Sequence, residues 1–482
     1  MLMSRLSSRR HFLHSNSFGL GSLALASLLQ KDGLLAAPVK PESFGELRYD
    51  LTPKKPHFQP RAKAMISLFM MGGPSQMDLY DPKPMLTKYH GQKFPGEVKY
   101  DNLAQASSKC FGSPWKFAKH GECGMEISEL LPNLAKVVDE ITLIRSMTSG
   151  VSNHAQGLYA MNAGRGIAGR PTLGSWITYG LGSETDELPA YMSLIDPAGL
   201  PIFPMDHFGN GWLPSLFQST VVRAAEPRIL NLDPPPSLAG AAQERQMHLL
   251  KAFNEDHLAQ HPGELDLQAR ISSYELAAHM QTAAKEALDI SLEPAHIQRL
   301  YGIDNPITKN YGTRCLIARR LIERGVRYVQ VLNPGQSWDQ HSALVTSLPK
   351  LCAGMDQPSA ALLTDLKQRG LLDTTVVHWG GEMGRLPVLQ NDAGYEKWGR
   401  DHNTYGFSMW LAGGGFKKGF TYGETDDFGH KAVINEVKHY DYHATLLHAF
   451  GLDHTKLTYK RNGLAASLTD NQGAKVVDEL LA

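Results

Sequence analysis

The chain has 482 residues, of which 42% are apolar, and its 48 lysines and arginines balance 48 aspartates and glutamates. A net charge of zero creates no field to gather nucleic acid or an anionic membrane surface, which excludes both as expected partners. The 45 glycines and 28 prolines indicate an ordinary globular protein with many loops.

The N-terminal segment predicts an export signal. Two arginines at positions 9 and 10 precede an apolar run, Phe18–Leu29, that is too short to span a bilayer as a stable helix. The sequence Leu35-Ala36-Ala37-Pro38, with its small alanines, then predicts a cleavage site. We therefore predict a twin-arginine signal peptide over residues 1–37 and a periplasmic or secreted protein, the alternative being an uncleaved anchor. Residues 38–62 are proline- and charge-rich and are predicted to form an arm or linker.

Residues 63–482 are predicted to form one α/β domain. The apolar run Met65–Met71 ends at Gly72-Gly73, the pattern of a buried parallel strand that leads into a loop. A long helix is predicted from Val345 to Arg369, capped by Gly370. Further strands are predicted at Tyr191–Ile195, Tyr328–Leu332, Thr374–Trp379 and Phe407–Leu411. Strands that alternate with helices predict a mostly parallel sheet covered on both faces. After the export signal, no later apolar run is long enough to span a membrane.

Residues 237–295 differ from the rest of the domain, because they are polar and rich in histidine and glutamine. Apolar residues recur there at helical spacing, which predicts two or three surface helices. We interpret this segment as a helical insertion over the sheet or as an arm that contacts a protein partner.

The four cysteines are too few for a disulfide scaffold and lack the spacing of a zinc ribbon. Cys110 and Cys123 are close in sequence and could form a disulfide in an oxidising periplasm. The alternative is that both are free thiols.

Acidic residues and histidines follow several predicted strands, at the edge where parallel sheets bind ligands. A lone aspartate after a strand is more often a helix cap or a turn former than a ligand, so the prediction depends on the number of such residues near one edge. Carboxylates and imidazoles without thiolates suit zinc, manganese, calcium or magnesium, and mixed sites often hold two ions. One or two divalent ions and the hydrolysis of an ester are therefore predicted. The residues are Asp78, Asp81, Asp339, His341, Glu382, Arg385, Asp401 and His402.

A further segment, residues 148–165, predicts a short helix with Ser152 as its N-cap and Gly164 as its terminating residue. The N-terminus of such a helix favours an anion, so Ser152 or His154 could contact a phosphate or sulfate group. The alternative is that Ser152 only caps the helix and His154 only packs.

Several short motifs follow one another in a characteristic order. They are the export signal, Gly-Gly-Pro-Ser-Gln-x-Asp, Asn-His-Ala with Met-Asn-Ala-Gly, Trp-Asp-x-His, Gly-Glu-Met-Gly-Arg, Gly-Arg-Asp-His and Gly-Phe-x-x-Gly-x-x-Tyr-Gly-x-Thr-Asp. This order resembles the bacterial family called domain of unknown function 1501, over about Ala64 to Leu468. That family is similar to the alkaline phosphatase and sulfatase superfamily, which implies a three-layer α/β/α sandwich with metals at the strand ends.

The resemblance implies a set of metal ligands, with Glu382 standing where the superfamily has Asp-His. It also places Asn153-His154-Ala155 at the superfamily's nucleophile position, where His154 replaces the usual serine or threonine. No sequence of the kind that matures to formylglycine surrounds any cysteine or serine, so a formylglycine sulfatase is not expected. The implied ligands are Asp78, Asp339, His341, Glu382 and His402.

Two functions follow as hypotheses. The first is an exported metal-dependent hydrolase of phosphate or sulfate esters, on a small molecule or a glycan. Here Arg165 or Arg385 would add positive charge, and His154, Ser152 or activated water would attack. The second is a catalytically degenerate member of the fold that acts as a periplasmic binding or assembly protein, through a partner surface within residues 237–295.

Overall fold

The computed structural model describes residues 50–98, 100, 107–224, 226–236, 240–261 and 265–482. The predicted signal peptide and residues 38–49 of the predicted arm lie outside the described residues. The strands are β1 Ala64–Phe69, β2 Phe117–His120, β3 Met125–Ser128, β4 Ile141–Thr148, β5 Tyr191–Leu194, β6 Thr220–Val222, β7 Tyr328–Leu332, β8 Thr375–Gly380, β9 Gly384–Arg385, β10 His402–Asn403, β11 Phe407–Ala412, β12 Phe420–Tyr422, β13 Glu424–Thr425, β14 Ala432–Ile434, β15 Val437–Lys438, β16 Tyr459–Arg461 and β17 Leu464–Ala466.

The α-helices are distributed along the whole described chain. They are α1 Gln76–Leu79, α2 Pro84–Lys88, α3 His154–Ala163, α4 Leu173–Leu181, α5 Pro204–Phe208, α6 Ala241–Gln260, α7 Leu265–Leu288, α8 Ala295–Leu300, α9 Lys309–Glu323, α10 Leu344–Gln368 and α11 His439–Ala449.

A nine-stranded sheet forms the centre of the domain, in the order β12-β4-β11-β8-β1-β7-β5-β6, with β15 also paired to β4. Strand β1 is parallel to both of its neighbours, with Met65 opposite Tyr328 on β7 and Val376 on β8. Only β11 runs the other way, because it is antiparallel to both β4 and β8. The sheet is therefore mostly parallel, as predicted.

Helices cover both faces of this sheet. On one face, Ile66 and Leu68 of β1 belong to a large apolar core with residues of α9 and α10, such as Leu316 and Leu362. On the other face, α4 lies so close that a Cβ on Gly174 would come within 2.8 Å of the rings of Tyr191 and Tyr328. The fold is thus the predicted three-layer α/β/α sandwich.

The five predicted strands are all present, within a residue or two of the predicted bounds. Helix α10 spans Leu344–Gln368 and is followed by Gly370 at φ 69°, which confirms the predicted terminating glycine. The sequence analysis did not identify β4, although its eight residues pair with β11, β12 and β15.

The described part of residues 237–295 contains two long helices, α6 and α7, in agreement with the two or three helices predicted there. Helix α6 buries none of its side chains, and its Gln243 donates to Gln281 of α7 at 2.8 Å. None of the helices in the described ranges is long and apolar enough to cross a membrane.

The described end of the predicted arm, from Asp50 onward, runs along the domain. The backbone N–H of Lys54 donates to Leu181 and that of Arg61 to Ala449. The four cysteines are free thiols, so Cys110, which is buried, and Cys123, which is exposed, do not form a disulfide.

Candidate metal centre

Two glycines after β1 bring the loop that follows β7 over the end of the sheet. Gly72 and Gly73 have φ values of 112° and 84°, which disfavour any residue with a side chain. A Cβ on Gly72 would lie 2.4 Å from the backbone nitrogen of Asp339. The backbone N–H of Trp338 also donates to the carbonyl of Met71 at 3.0 Å. This close crossing places Asp339 and His341 above the ends of β1 and β8.

Four side chains from three separate parts of the chain meet at this edge. They are His154, Asp339, His341 and His402, and each offers one ligand atom within 4.8 Å of the others. We call this group the four-residue cluster. Its side chains are 11% to 26% exposed, so a small ligand in solution could reach them.

The three imidazoles of the cluster are oriented by hydrogen bonds at Nδ1. His402 Nδ1 lies 2.7 Å from the carbonyl oxygen of Ser152, which can only accept, so this nitrogen carries the proton. His154 Nδ1 lies 2.7 Å from Glu382 Oε1, and His341 Nδ1 lies 2.5 Å from Gln390 Oε1. The Nε2 atoms are thereby left to face one another, 2.9 Å apart for His341 and His402.

This arrangement fits a metal ion. Histidines that bind metals usually donate the other ring N–H to a carboxylate or a carbonyl, which fixes the tautomer and the ring orientation. The buried Nε2 of His154 has no hydrogen-bond partner of good geometry, although Asp339 Oδ2 lies 3.3 Å away. The Nε2 atoms of His341 and His402, 2.9 Å apart, must share a proton or bind a cation, since two bare lone pairs at that distance repel each other. Nitrogen and oxygen donors of this kind suit zinc and manganese.

The carboxylate of Asp339 lies among the three Nε2 atoms. Its Oδ1 is 3.0 Å from His341 Nε2 and 3.4 Å from His402 Nε2. The guanidinium of Arg385 donates to the same oxygen at 2.7 Å. Arg385 is fully buried and also donates to the carbonyl oxygens of Gly73 and Gly72, so it fixes the crossing of the two loops.

Charges at the cluster shift the pKa values of its members. Burial raises the pKa of Asp339, but the three adjacent imidazoles and the charge of Arg385 lower it by more, so the net pKa falls well below its usual range. Burial lowers the pKa of His154, and the adjacent carboxylates of Asp339 and Glu382 raise it to about 9. Burial is the largest cause of the lowered pKa of His402. Without a metal, the protonated, positively charged form of His154 is therefore favoured, because the imidazole lies between two carboxylates.

Residues 62–481 match the profile of the family described as protein of unknown function DUF1501. The chain belongs to this family. No curated protein sequence matches the chain.

Solved structures similar to this DUF1501 chain include three with low sequence identity. The lipoteichoic acid synthase LtaP from Listeria monocytogenes is 9% identical, with 92% of this chain and 80% of that chain covered and a TM-score of 0.38. A protein in the alkaline phosphatase superfamily from Vibrio parahaemolyticus is 10% identical, covers 91% and 76%, and has a TM-score of 0.36. The alkaline phosphatase of the Antarctic bacterium TAB5 is 10% identical, covers 77% and 97%, and has a TM-score of 0.29.

The predicted metal ligands of the DUF1501 chain divide into two groups. Asp339, His341 and His402 meet as expected, and His154, which was predicted to be catalytic, joins them. Glu382 lies behind His154 and accepts from the backbone N–H of Gly72 at 2.9 Å.

Asp78 lies apart from the four-residue cluster. Its two carboxylate oxygens accept from Arg400 at 2.8 and 3.1 Å, and both side chains are completely buried. The hydroxyl of Ser75 donates to it as well, at 2.5 Å. Asp81 is likewise engaged by Lys83, at 3.0 Å.

The predicted N-cap of α3 is one residue too early. Asn153, and not Ser152, caps the helix, because its Oδ1 accepts from the backbone N–H of Ala155 at 3.0 Å. Ser152 contributes its carbonyl oxygen to His402 instead. Gly164 ends the helix in the left-handed conformation, at φ 82°, as predicted.

Neither predicted arginine is open to a substrate at the cluster. Arg165 follows the C-terminus of α3, a ten-residue helix about 15 Å long whose first residue is His154. Its guanidinium pairs with Asp470 at 3.2 Å. Arg385 is near the cluster, but its donors face Asp339 and backbone carbonyls.

Sequence reasoning missed Gln390 and the backbone groups of Gly72 and Ser152. Gln390 comes ten residues after the β8 strand end, in a loop with no pattern of its own. Backbone donors and acceptors carry no sequence signal. Only the folded chain reveals these contacts.

Proposed function

We propose that the protein is a metal-dependent hydrolase of phosphate or sulfate esters that binds one divalent ion at the four-residue cluster. The observation that carries this proposal is the shared orientation of His154, His341 and His402. Each has its Nδ1 held by an acceptor and its Nε2 turned toward the carboxylate of Asp339. The motifs that resemble the alkaline phosphatase and sulfatase superfamily support the substrate class.

The cluster supports a single ion. Two of the five ligands expected from the sequence have other partners. Asp78 accepts hydrogen bonds from Arg400, and Glu382 accepts from His154 and Gly72. A bound divalent ion would supply Lewis acidity toward an ester oxygen and would lower the pKa of water.

The chain's own residues prepare this site. Glu382 accepts from His154 Nδ1 and so keeps the imidazole in one tautomer. Arg385 holds the Asp339 carboxylate against rotation through Oδ1. His154 is assigned to metal binding, and not to attack on the substrate, because its Nε2 is turned into the cluster. The twin arginines at positions 9 and 10 support the further proposal that the protein is exported.

The second candidate is a metal-binding protein without turnover. Four protein donors are enough to complete a tetrahedral zinc site, whereas catalytic zinc sites usually have three protein ligands and an open position. The four-residue cluster offers four. The position at the head of α3 holds a histidine where a serine or threonine nucleophile would be expected from the resemblance.

Elemental analysis of the purified protein, followed by a screen of aryl phosphates, phosphodiesters and sulfates, tests both candidates. We expect about one ion per chain, lost in Asp339→Ala and in His402→Ala but kept in the control His296→Ala, which removes an exposed histidine. Turnover that disappears in the same two variants supports the hydrolase. One tightly bound ion with no turnover of any ester supports the binding protein instead, and absence of any ion contradicts both.

A further inference from the structure

Four large apolar side chains are exposed on two neighbouring segments. Ile167 is 60% exposed, Leu200 55%, Phe203 46% and Met205 61%. The two segments are joined by the backbone N–H of Gly169, which donates to Asp206 Oδ1 at 3.2 Å. We call these four residues the apolar platform.

The apolar platform is attached to the elements that carry the four-residue cluster. The ring of Phe203 meets that of Tyr159 edge-on, with centroids 6.0 Å apart, and Tyr159 belongs to α3, whose first residue is His154. The carbonyl of Leu200 accepts from the backbone N–H of Gly335 at 3.2 Å, four residues before Asp339. Two separate ligand-bearing elements therefore hold the platform beside the cluster.

The backbone of Phe203 is strained. Its φ of 48° lies in the left-handed region, which costs a bulky residue about 1–2 kcal/mol. Phe203 also precedes Pro204, and a residue before proline normally adopts an extended conformation. The strained conformation leaves the ring nearly half exposed.

Neither the strain nor the exposure stabilises the folded chain. Strained residues that persist in this way cluster at ligand-binding and active sites. An exposed apolar patch beside a polar site is typical of a pocket that accepts a ligand with both kinds of group. Pro201 and Pro204 fix the local φ angles, so the surface is presented with little conformational freedom to lose on binding.

We propose that the apolar platform binds an alkyl or aryl group of the substrate while its phosphate or sulfate group is held at the four-residue cluster. The inference rests on the proposed function and narrows it to esters with a hydrophobic substituent. Phe203 and Leu200 are assigned as residues that determine this specificity.

Binding of alkylphosphonates that cannot be hydrolysed, from methyl to hexyl, to the zinc-loaded protein tests this assignment. We expect wild-type affinity to rise by about two- to fourfold per methylene, as expected for partial burial of each group. Phe203→Gly should flatten this dependence and leave methylphosphonate affinity unchanged. The variant should also fold well, because glycine adopts the left-handed conformation without strain.

Leu200→Ala should flatten the dependence in part, whereas its matched control, Leu292→Ala, should not, since Leu292 is 59% exposed on a separate 3-10 helix, Ile290–Leu292. An unchanged chain-length dependence in Phe203→Gly would overturn the assignment, as would failure of every phosphonate to bind. The wild type could instead form a concentration-dependent dimer that Phe203→Gly abolishes. That result would overturn the assignment, because the apolar platform would then bind a second copy of this chain. Chain-length-dependent binding without ester hydrolysis would support the platform and remove only the hydrolase.

Discussion

His402 donates its Nδ1 proton to the carbonyl oxygen of Ser152, at 2.7 Å, across 250 residues of sequence. The contact turns His402 Nε2 toward His341 Nε2 and Asp339. The equivalent contacts of the other two imidazoles differ in chemistry, because one acceptor is a carboxylate and the other an amide. Each contact can therefore be altered separately.

Glu382→Gln should weaken metal binding by about 10- to 100-fold, the usual cost of altering the partner of a metal-binding histidine. The amide keeps the shape of the side chain but removes the negative charge next to His154 Nδ1. Titration with zinc in the presence of a competing chelator measures the change. The control Glu396→Gln alters an exposed glutamate and should bind zinc like the wild type. Equal affinities for the two variants would argue against a role for Glu382.

Gly72→Ala should lower the free energy of unfolding and reduce metal content, because its Cβ would lie 2.4 Å from the backbone nitrogen of Asp339. Gly91→Ala is a matched control, since Gly91 also has positive φ, 77°, but a Cβ there meets no atom within 4 Å. The control should lose only about 1–2 kcal/mol, the conformational cost alone. Denaturant unfolding and metal analysis compare the two variants. Equal losses of stability in both would contradict the close approach of Gly72 to the backbone of Asp339.

Asp78→Asn should destabilise the fold without loss of the ion. Removing one partner of a buried ion pair costs about 3–5 kcal/mol, because the other charge is left uncompensated. Asp392→Asn breaks an ion pair with Lys109 in which each side chain is 51% exposed. This control should lower the free energy of unfolding by at most about 1 kcal/mol. Metal analysis of folded Asp78→Asn is the decisive measurement. A missing ion there would restore Asp78 as a metal ligand.

Acid should destabilise the protein below about pH 6.5, through histidines outside the cluster. Burial lowers their pKa values, so below 6.5 the unfolded chain binds protons that the folded chain does not. Each of these histidines then lowers the free energy of unfolding by about 1.4 kcal/mol per pH unit, until the pH falls to the pKa of that histidine in the folded chain. These histidines and their pKa values are His207, about 4, His439, about 4, His378, about 3, and His443, about 3.

The free energy of unfolding, measured by denaturant titration from pH 7.5 to 5 with chelator present, tests this prediction. His443→Gln should reduce the slope of the free energy of unfolding against pH by the contribution of about one proton, or about 1.4 kcal/mol per pH unit. His296→Gln, at an exposed site, should leave it unchanged. A wild-type stability that is flat over this range would contradict the prediction.

The sequence predicted five strands that are mostly apolar runs next to turn residues, and it missed β4. That strand contains Thr142, Arg145, Ser146 and Thr148, so its sequence lacks the apolar character of a buried strand. The direction of β11 was also not predictable, because local sequence does not show which way a neighbouring strand runs. Since β11 is antiparallel, His402 reaches the cluster from a segment before the strand and not after it.

Candidate ligands could be predicted by residue type, but not their partners. Asp78 follows its strand as a ligand would, yet Arg400, 322 residues later, neutralises it. His154 was expected to act on the substrate, and its place in the four-residue cluster depends on Glu382, 228 residues away. Such pairings are decided by long-range packing, which a single sequence does not contain.

The hydrogen bond from His402 to a backbone carbonyl has a consequence for which positions tolerate substitution. Because any residue supplies that oxygen, position 152 is free to change as long as the chain keeps its path before α3. Position 390 is not, since the support of His341 there comes from the amide side chain of Gln390. Two positions with the same task should thus tolerate substitution very differently, and an alanine at 152 should be nearly silent where one at 390 is costly.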